Sequence, residues 1–321
     1  MIKATDAASP NGSRYSSGLL HRAHTSGLEP AIFSIRSLFR LGTRENYKET
    51  KLALIRNSAL SKGHIEMRLL TYNILGGGQK REAEIIEVIQ AVDPDVVVVQ
   101  EALEVARFHR IAAALEMAPR LAESRRRLSI RVGLLSRLPV VGFRTLDLWP
   151  VWPSCFQATI YLTNGRSLTV FGLHLAAYYP WFFELWRMYQ VRALLRYILQ
   201  TAPGQHLLAG DFNAIARGDR ASLPEAPLWV KVQTWFQLGH IPRWALKPLL
   251  DAGYVDCFRR LHPEEDGFTL PSPSPQLRLD YIFAAPPLIE ALRGCRVITS
   301  QGKVASASDH LPVLAEFEWE T

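Results

Sequence analysis

The sequence predicts a layered fold of the α/β or α+β class, built from mixed strands and a few helices. Short apolar runs rich in β-branched residues recur along the chain, as at Val96–Gln100, and such runs are typical of strands buried on both faces. Helical spacing separates some of them, as at Lys80–Gln90. The pair Asn164-Gly165 between two apolar runs indicates a β-hairpin. Strands outnumber helices in this pattern, which excludes a helix bundle.

The first elements alternate between strand and helix. Arg68–Ile74 is predicted as a strand, and Gly76-Gly77-Gly78 ends it. A helix follows over residues 80–90, in which three isoleucines share one face. The strand Val96–Gln100 comes next, and a second helix is predicted over Ala106–Leu115.

Strands predominate in the remainder of the chain. Two further helices are predicted, over Phe182–Gln200 and Lys247–Ala252. The predicted strands are Val132–Ser136, Gln157–Leu162, Ser167–Leu173, His206–Ala209, Leu279–Phe283, Val297–Thr299 and Val313–Glu318.

Composition places the chain among globular proteins and excludes other classes. Hydrophobic residues make up 48% and charged residues 21%, which excludes a wholly disordered chain. No apolar run approaches the ~18 residues that a membrane-spanning helix needs, so a transmembrane enzyme is excluded as well. Cys155, Cys257 and Cys295 are isolated, so they form neither a disulfide framework nor a CxxC metal site. We expect three buried thiols in a reducing compartment.

Residues 1–66 differ in composition from the rest. They hold ten Lys/Arg and five Asp/Glu, and thus carry most of the formal charge of +7. An Arg-rich, Ser-rich and acid-poor start is typical of an organelle transit peptide. A poorly ordered extension explains it as well, as does a true start at Met67. We therefore expect an extension over 1–66 and a folded domain over 67–321. A cytoplasmic location is favoured, with organelle targeting by residues 1–66 as the alternative.

Polar and ionisable side chains stand at the ends of the predicted strands. A buried strand that ends in an acid loses free energy unless that acid has a partner or a metal. The recurrence of such endings predicts that the strand ends converge on one site. The residues concerned are Asn73, Glu101, His174, Asp211, Asn213, Asp280, Asp309 and His310.

The motifs around these residues resemble, in order, those of the endonuclease/exonuclease/phosphatase superfamily, which has the DNase I-like fold. Each motif alone is weak, whereas the ordered set is specific. The resemblance covers residues 67–321 and implies a catalytic domain with a four-layer sandwich, in which two packed mixed β-sheets are flanked by helices. It also implies divalent-metal hydrolysis of phosphate esters. The motifs are Thr71-Tyr72-Asn73-Ile74, Val99-Gln100-Glu101, Gly133-Leu134-Leu135-Ser136-Arg137, Leu173-His174-Leu175, Gly210-Asp211-Phe212-Asn213-Ala214, Arg278-Leu279-Asp280-Tyr281-Ile282-Phe283 and Ser308-Asp309-His310-Leu311-Pro312-Val313.

The resemblance implies a metal site that is built by Asn73, Glu101 and Asp309. Hard oxygen ligands of this kind hold Mg²⁺, which offsets the charge that builds on phosphoryl oxygens. We therefore expect Mg²⁺ as the cofactor, with Mn²⁺ as its substitute.

The resemblance also implies five catalytic residues. Asp211 would orient or deprotonate the attacking water, and Asn213 would donate a hydrogen bond to a phosphoryl oxygen of the substrate. Asp280 would hold His310 in one tautomer and raise its pKa. His310 would stabilise the transition state as a cation or transfer a proton. His174 would bind the phosphate or protonate the leaving oxygen.

Two departures separate the chain from the exonuclease III-like abasic-site endonucleases. That branch carries Asp or Asn two residues after the first-motif asparagine, where this chain has Leu75. It also carries a Tyr-x-Pro-Asn element in the region where this chain reads Leu173-His174-Leu175. The histidine is similar to that of the DNase I and sphingomyelinase side, where we therefore place the chain.

Two aromatic segments are candidates for substrate choice. Tyr178 and Trp181 follow His174, and they either begin an amphipathic helix packed in the core or form a lip that binds a base or lipid. The segment Leu228–Leu250 holds three tryptophans and three basic residues. It either covers a sheet edge or binds single-stranded nucleic acid or a membrane surface.

The favoured function is a Mg²⁺-dependent phosphodiesterase, with a nuclease as first choice. A phosphatase and a sphingomyelinase-like lipid phosphodiesterase are the alternatives, and a non-catalytic phosphate-binding module is a third. A set of acids and histidines with one departure, at Leu75, argues against loss of catalysis. The expected partner is a phosphodiester substrate, with nucleic acid among the candidates. Peripheral membrane contact stays open without support, and we expect a monomer.

Overall fold

The computed structural model describes residues 64–122, 131–148, 155–162, 165–177, 181–202, 204–221 and 241–320. Within these residues the strands form two mixed sheets of six strands each. The first sheet has the order β11-β12-β1-β2-β4-β3. Its strands are β1 His64–Asn73, β2 Val96–Gln100, β3 Ala118–Leu121, β4 Val132–Ser136, β11 Leu292–Val297 and β12 Val313–Glu320.

The second sheet has the order β5-β6-β7-β8-β10-β9. Among the described strands, β7 and β8 are the only parallel pair in this sheet, and β1 and β2 are the only parallel pair in the first sheet. Its strands are β5 Val140–Thr145, β6 Cys155–Tyr161, β7 Ser167–His174, β8 His206–Asp211, β9 Val255–Asp256 and β10 Asp280–Ala284.

Helices cover the outer faces of both sheets. The longest, α3, has 21 residues, and none of the described helices is both long and apolar enough to cross a bilayer. A 3₁₀ helix over Pro286–Ala291 precedes β11. The helices are α1 Glu82–Val92, α2 Val105–Ala114, α3 Trp181–Thr201, α4 Lys247–Asp251, α5 Cys257–Leu261 and α6 Val304–Ala307.

Successive side chains of each strand point to opposite faces of its sheet, so each sheet packs on the other sheet with one face and on helices with the other, which gives four layers. In β1, Leu69 points into the core between the sheets, whereas the next residue, Leu70, packs with α1 and α2 on the outer face. In β7, Val170 lies between the sheets and Phe171 packs against α3. Each fully buried Leu or Phe side chain stabilises the fold by about 1.5–3 kcal/mol relative to an exposed one. The observed architecture confirms the predicted four-layer sandwich of two mixed sheets flanked by helices.

Strand directions bring the chemistry-bearing ends together. The parallel strands β1 and β2 end at Asn73 and Gln100, and β7 and β8 end at His174 and Asp211. The antiparallel strand β10 starts at Asp280, directly opposite Asp211 in register. Strand β12 starts opposite the end of β1, just after the loop that carries the last motif. One edge of the sandwich therefore collects the polar strand ends.

Four strands differ from the sequence prediction, and all four are sheet edges. Strands β3, β5 and β9 were not predicted, and the predicted strand Val297–Thr299 is wrong because the strand is Leu292–Val297. An edge strand is paired on one side only and half exposed, so it lacks the continuous apolar run of a central strand. In β3, Pro119 further weakens the pattern.

The boundary that we drew at residue 67 falls inside β1. The strand begins at His64, and Ile65 is buried opposite Trp319 of β12. Residues 1–63 lie outside the described residues, so the extension over 1–66 stays a prediction for those positions.

Candidate active site

At the edge of the sandwich where the polar strand ends meet, an amide from the first sheet joins two carboxylates. Asn73 is buried at the end of β1, and its Nδ2 donates to Asp211 Oδ2 at 3.1 Å and to Glu101 Oε1 at 3.3 Å. Asp211 belongs to the second sheet, so the amide links the two sheets at the site. Its own Oδ1 accepts the backbone N–H of Leu75 at 3.0 Å, which holds the amide plane.

Glu101 is held by a left-handed turn. Residues 75–78 all have positive φ, between 47° and 70°, and Gly76 donates its backbone N–H to Glu101 Oε2 at 2.6 Å. Glu101 itself has φ of 59°, directly after β2. A residue with a Cβ is strained at positive φ, which explains the glycines in this turn. The turn therefore orients the carboxylate of Glu101 toward Asn73.

Asp211 and Asn213 form a tight turn after β8. The Oδ1 of Asp211 accepts the backbone N–H of Asn213 at 2.8 Å, and Asn213 has φ of 48°, a conformation that Asn tolerates. The Nδ2 of Asn213 donates to the carbonyl oxygen of Leu175 at 3.1 Å, so one amide proton remains. A Cβ at Gly210 would lie 1.9 Å from the Leu173 carbonyl oxygen, so glycine is needed where β7 and β8 approach.

His310 and Asp280 form a buried pair. Nδ1 of His310 lies 2.8 Å from Asp280 Oδ2, and Nε2 lies 3.8 Å from Asp211 Oδ2. Burial opposes a charge on the ring, but the carboxylates of Asp280 and Asp211 outweigh it and raise the pKa of His310 to about 10. Burial also raises the pKa of Asp280, against the attraction of His310. The raised pKa of His310 favours the cationic form of the ring beside Asp280.

His174 also faces Asp211 Oδ2. It is buried at the end of β7, in register with Asp211, and its Nε2 lies 3.5 Å from Asp211 Oδ2. Its Nδ1 is buried and has no hydrogen-bond partner among the described residues. One oxygen of Asp211 thus faces both His174 and His310.

Asp309 stands beside this group on the loop before β12. Its Oδ1 lies 3.4 Å from Ser308 Oγ, and its charge acts on the His310 ring and on the Tyr72 hydroxyl. Ser308 donates its hydroxyl to the carbonyl oxygen of Asn73 at 2.7 Å. This bond ties the last motif to the first one.

The site concentrates negative charge. Four carboxylates, those of Glu101, Asp211, Asp280 and Asp309, lie at the same edge of the sandwich as the His310 ring. Asp211, Asp280 and His310 each offer a ligand atom within 4.8 Å of the others, so the described residues include a group that could hold a metal. Asp280 is bonded to His310 through Oδ2, and its Oδ1 has no hydrogen-bond partner among the described residues. The surplus of carboxylates at this edge of the sandwich fits a bound cation.

The substrate-binding predictions are covered only in part. Tyr178 lies outside the described residues, and so do positions 228–240 of the segment Leu228–Leu250. Trp181 begins α3 with 53% of its surface exposed, and Trp244 is 47% exposed. Exposure leaves the aromatic-lip interpretation of Trp181 open.

Two buried residues that support the site, Thr269 and Arg278, were not predicted from the sequence as site residues. Thr269 Oγ1 accepts the backbone N–H of Leu279 at 3.1 Å, next to Asp280. Arg278 is buried between Asp219 and Asp256, and it bonds both oxygens of each carboxylate. The neighbouring Asp280 motif was a signal for Arg278. Thr269 carries no local signal, because its contact joins distant parts of the chain.

A single sequence family covers all the residues of this site. The sequence profile described as the Endonuclease/Exonuclease/phosphatase family matches residues 70–310, which span every residue of the site described above. The chain belongs to this family. Membership confirms the predicted resemblance and supports hydrolysis of phosphate esters. The ordered strand-end motifs are therefore the motifs of the Endonuclease/Exonuclease/phosphatase family.

Solved structures agree with this family at the level of the fold. An AP endonuclease from Archaeoglobus fulgidus has 21% identity and a TM-score of 0.60, with 78% of this chain and 99% of that chain covered. The 3′ phosphatase NExo from Neisseria, bound to a product DNA hairpin, has 22% identity and a TM-score of 0.59, with 79% and 100% covered. A humanised TDP2 from D. rerio has 18% identity and a TM-score of 0.57, with 78% and 98% covered.

Similarity at these identities shows the fold alone. No curated protein matches the chain by sequence. The DNase I and sphingomyelinase side of the Endonuclease/Exonuclease/phosphatase family, which the sequence favours, thus stays a prediction.

Proposed function

We propose that this chain is a divalent-metal-dependent phosphodiesterase in which Asp211 activates water and the His310–Asp280 pair stabilises the transition state. One observation carries the proposal. A single carboxylate, Asp211, lies between the Asn73–Glu101 pair of the first sheet and the two histidines His174 and His310. We therefore assign a water base, a cationic ring and an acidic metal site to this one edge of the sandwich.

The donor set fits a hard divalent cation such as Mg²⁺ or Mn²⁺. Glu101, Asp309 and the amide of Asn73 would hold it, because oxygen ligands and a surplus of carboxylates suit such an ion. When bound, the ion supplies charge stabilisation to the phosphoryl oxygens. We place it away from the group of Asp211, Asp280 and His310. A protonated imidazole bonded to Asp280 has no lone pair to offer at Nδ1, and its other nitrogen carries a proton too.

The proton transfers follow from the side chains. Asp211 takes a proton from water as the water oxygen forms its bond to phosphorus. The backbone N–H of Asn213 and the amide of Asn73 fix the two oxygens of Asp211 for this step. The bond from phosphorus to the leaving oxygen breaks at the same centre, and His174 gives that oxygen a proton.

His310 acts through charge. With its pKa near 10 the ring stays cationic at neutral pH, so it offsets the negative charge that develops on the phosphoryl group. The second amide proton of Asn213 adds a neutral donor, since the first one is bonded to Leu175. Asp280 keeps the His310 ring in place through Nδ1.

A phosphodiester is the favoured substrate class, and nucleic acid is the first candidate within it. The similar solved proteins include one bound to a product DNA hairpin and one complexed with a single-strand DNA product. Neither likeness exceeds 25% identity, so the support is that of a shared fold. Phosphate monoesters and phospholipids are the competing substrates.

The test compares two chromogenic esters, bis(p-nitrophenyl) phosphate and p-nitrophenyl phosphate, with Mg²⁺ and then with EDTA. We expect faster cleavage of the diester, abolished by EDTA. Glu101→Gln keeps the shape of the side chain without its charge and should lose Mg²⁺-dependent turnover. Glu104→Gln, a matched control at an exposed acid nearby, should retain it. Preference for the monoester would move the chain to the phosphatases. Turnover that EDTA does not affect would contradict the proposal.

A further inference from the structure

Helix α3 carries a buried polar stripe on its inner face. Glu184, Arg187 and Gln190 follow one another at intervals of three residues, and each is at most 4% exposed. The residues around them on this face, such as Val191 and Leu194, are apolar and packed on the second sheet. A buried ion pair and amide destabilise a core unless each polar group is bonded, so the partners of the stripe are informative.

The stripe binds both the backbone N–H and the carbonyl oxygen of one residue, Ala176, in the loop after β7. Arg187 Nη1 donates to the carbonyl oxygen of Ala176 at 2.9 Å, and Gln190 Oε1 accepts the N–H of Ala176 at 3.1 Å. Glu184 Oε2 lies 2.9 Å from Arg187 Nη2 and orients the guanidinium. The other oxygen of Glu184 accepts two backbone N–H groups, those of Trp244 and Ala245.

Ala176 is two residues beyond His174, and Leu175 between them bonds two residues of the site through its backbone. Leu175 donates its N–H to the Asp211 carbonyl oxygen at 2.9 Å and accepts the Asn213 amide at 3.1 Å. The Nδ1 of His174 has no hydrogen-bond partner among the described residues. The ring is therefore oriented by the backbone that carries it and by Asp211 Oδ2, which lies 3.5 Å from its Nε2.

We propose that Arg187 and Gln190 are positioning residues that set His174 and Asn213 through the backbone of Ala176. The inference rests on the proposed function, in which His174 protonates the leaving oxygen. Neither residue touches the substrate. Glu184 extends the same scaffold to residues 244–245 and thereby fixes the position of the Arg187 guanidinium. Misplacement of a reacting group by about 1 Å can cost ~10²-fold in rate, so this support matters.

The test uses a pair of matched variants. Gln190→Met keeps the length of the side chain and removes the acceptor for Ala176, whereas Gln190→Glu keeps an acceptor oxygen beside Arg187. Turnover is measured on bis(p-nitrophenyl) phosphate, with a good leaving group, and on diphenyl phosphate, with a poor one. A poor leaving group depends more on a placed acid.

We expect Gln190→Met to lower kcat on diphenyl phosphate at least ~10-fold more than on bis(p-nitrophenyl) phosphate, with little change in KM. Gln190→Glu should stay within about twofold of the parent on both, as a retained acceptor predicts. An equal loss on both esters would show a merely structural role and overturn the proposal.

A second readout is independent of activity. In metal-free, ¹³C,¹⁵N-histidine-labelled protein, the ring signal of His174 is assigned by its loss in His174→Gln. It should move in Gln190→Met and coincide with the parent signal in Gln190→Glu. An unmoved signal in Gln190→Met would overturn the inference. If the parent cleaves neither diester, the proposed function fails, and the His174 signal alone decides the positioning role.

Discussion

The amide of Asn73, at the end of β1, donates a hydrogen bond of 3.1 Å to the carboxylate of Asp211, at the end of β8. These residues belong to different sheets, so the bond closes the sandwich at the site. The same nitrogen lies 3.3 Å from Glu101. It therefore separates two carboxylates that would otherwise repel each other.

Removal of this amide tests the junction of the two sheets. Asn73→Ala should lower kcat/KM on a diester by about 10²-fold, because Glu101 and Asp211 lose their common donor. Gln90→Ala, at an exposed amide on α1, is the matched control and should be neutral. Steady-state kinetics with circular dichroism as a check of folding would measure both. Full activity in Asn73→Ala would show that the bridge is dispensable.

The left-handed turn predicts a specific defect in metal use. A Cβ at Gly76 meets no atom within 4 Å, so only the backbone conformation, with φ of 60°, resists substitution. Alanine there costs about 1–2 kcal/mol and shifts the N–H that holds Glu101, whereas asparagine tolerates this region. We expect Gly76→Ala to raise the Mg²⁺ concentration for half-maximal activity by about tenfold, and Gly76→Asn to stay near the parent. Equal Mg²⁺ requirements in the two variants would contradict this role of the turn.

His310 predicts how stability depends on alkaline pH. Its pKa rises from 6.5 to about 10 on folding, so its charge–charge stabilisation is fully present below pH 6.5 and is lost as pH rises toward 10. Urea unfolding of the EDTA-treated protein between pH 6 and 10 measures this loss. Asp280→Asn removes the first attracting charge and should flatten the dependence. A parent profile as flat as that of the variant would contradict the buried ion pair.

His206 should make the folded protein less stable in acid, which is the opposite of the pH trend expected for His310. Burial lowers its pKa, and its Nε2 lies 2.5 Å from the Tyr254 hydroxyl. The unfolded chain therefore binds a proton more readily, so stability should be full above the unfolded pKa of about 6.5 and fall as pH drops below it. His206→Gln should reduce the slope of unfolding free energy against pH between 7 and 5. An unchanged slope would show that His206 does not titrate on unfolding.

The central layers could be predicted from sequence, and the edges could not. Central strands such as Val96–Gln100 are buried on both sides and read as continuous apolar runs. Edge strands such as β5 are only partly buried along their whole length, so they lack a continuous apolar run. Most motif residues were predictable because they stand at or directly after the end of a central strand. The contacts of Gly76, Thr269 and Arg187 join separate segments and leave no local pattern.

The most direct measurement of the central claim is the turnover of Asp211→Asn on a phosphodiester at saturating Mg²⁺. The variant keeps the shape of the side chain and one of its two acceptor oxygens but cannot accept the water proton. We expect kcat to fall by at least ~10²-fold. Asp251→Asn, at an exposed acid on α4, should match the parent. A rate for Asp211→Asn within about twofold of the parent would contradict the account, because a positioned base contributes at least ~10²-fold.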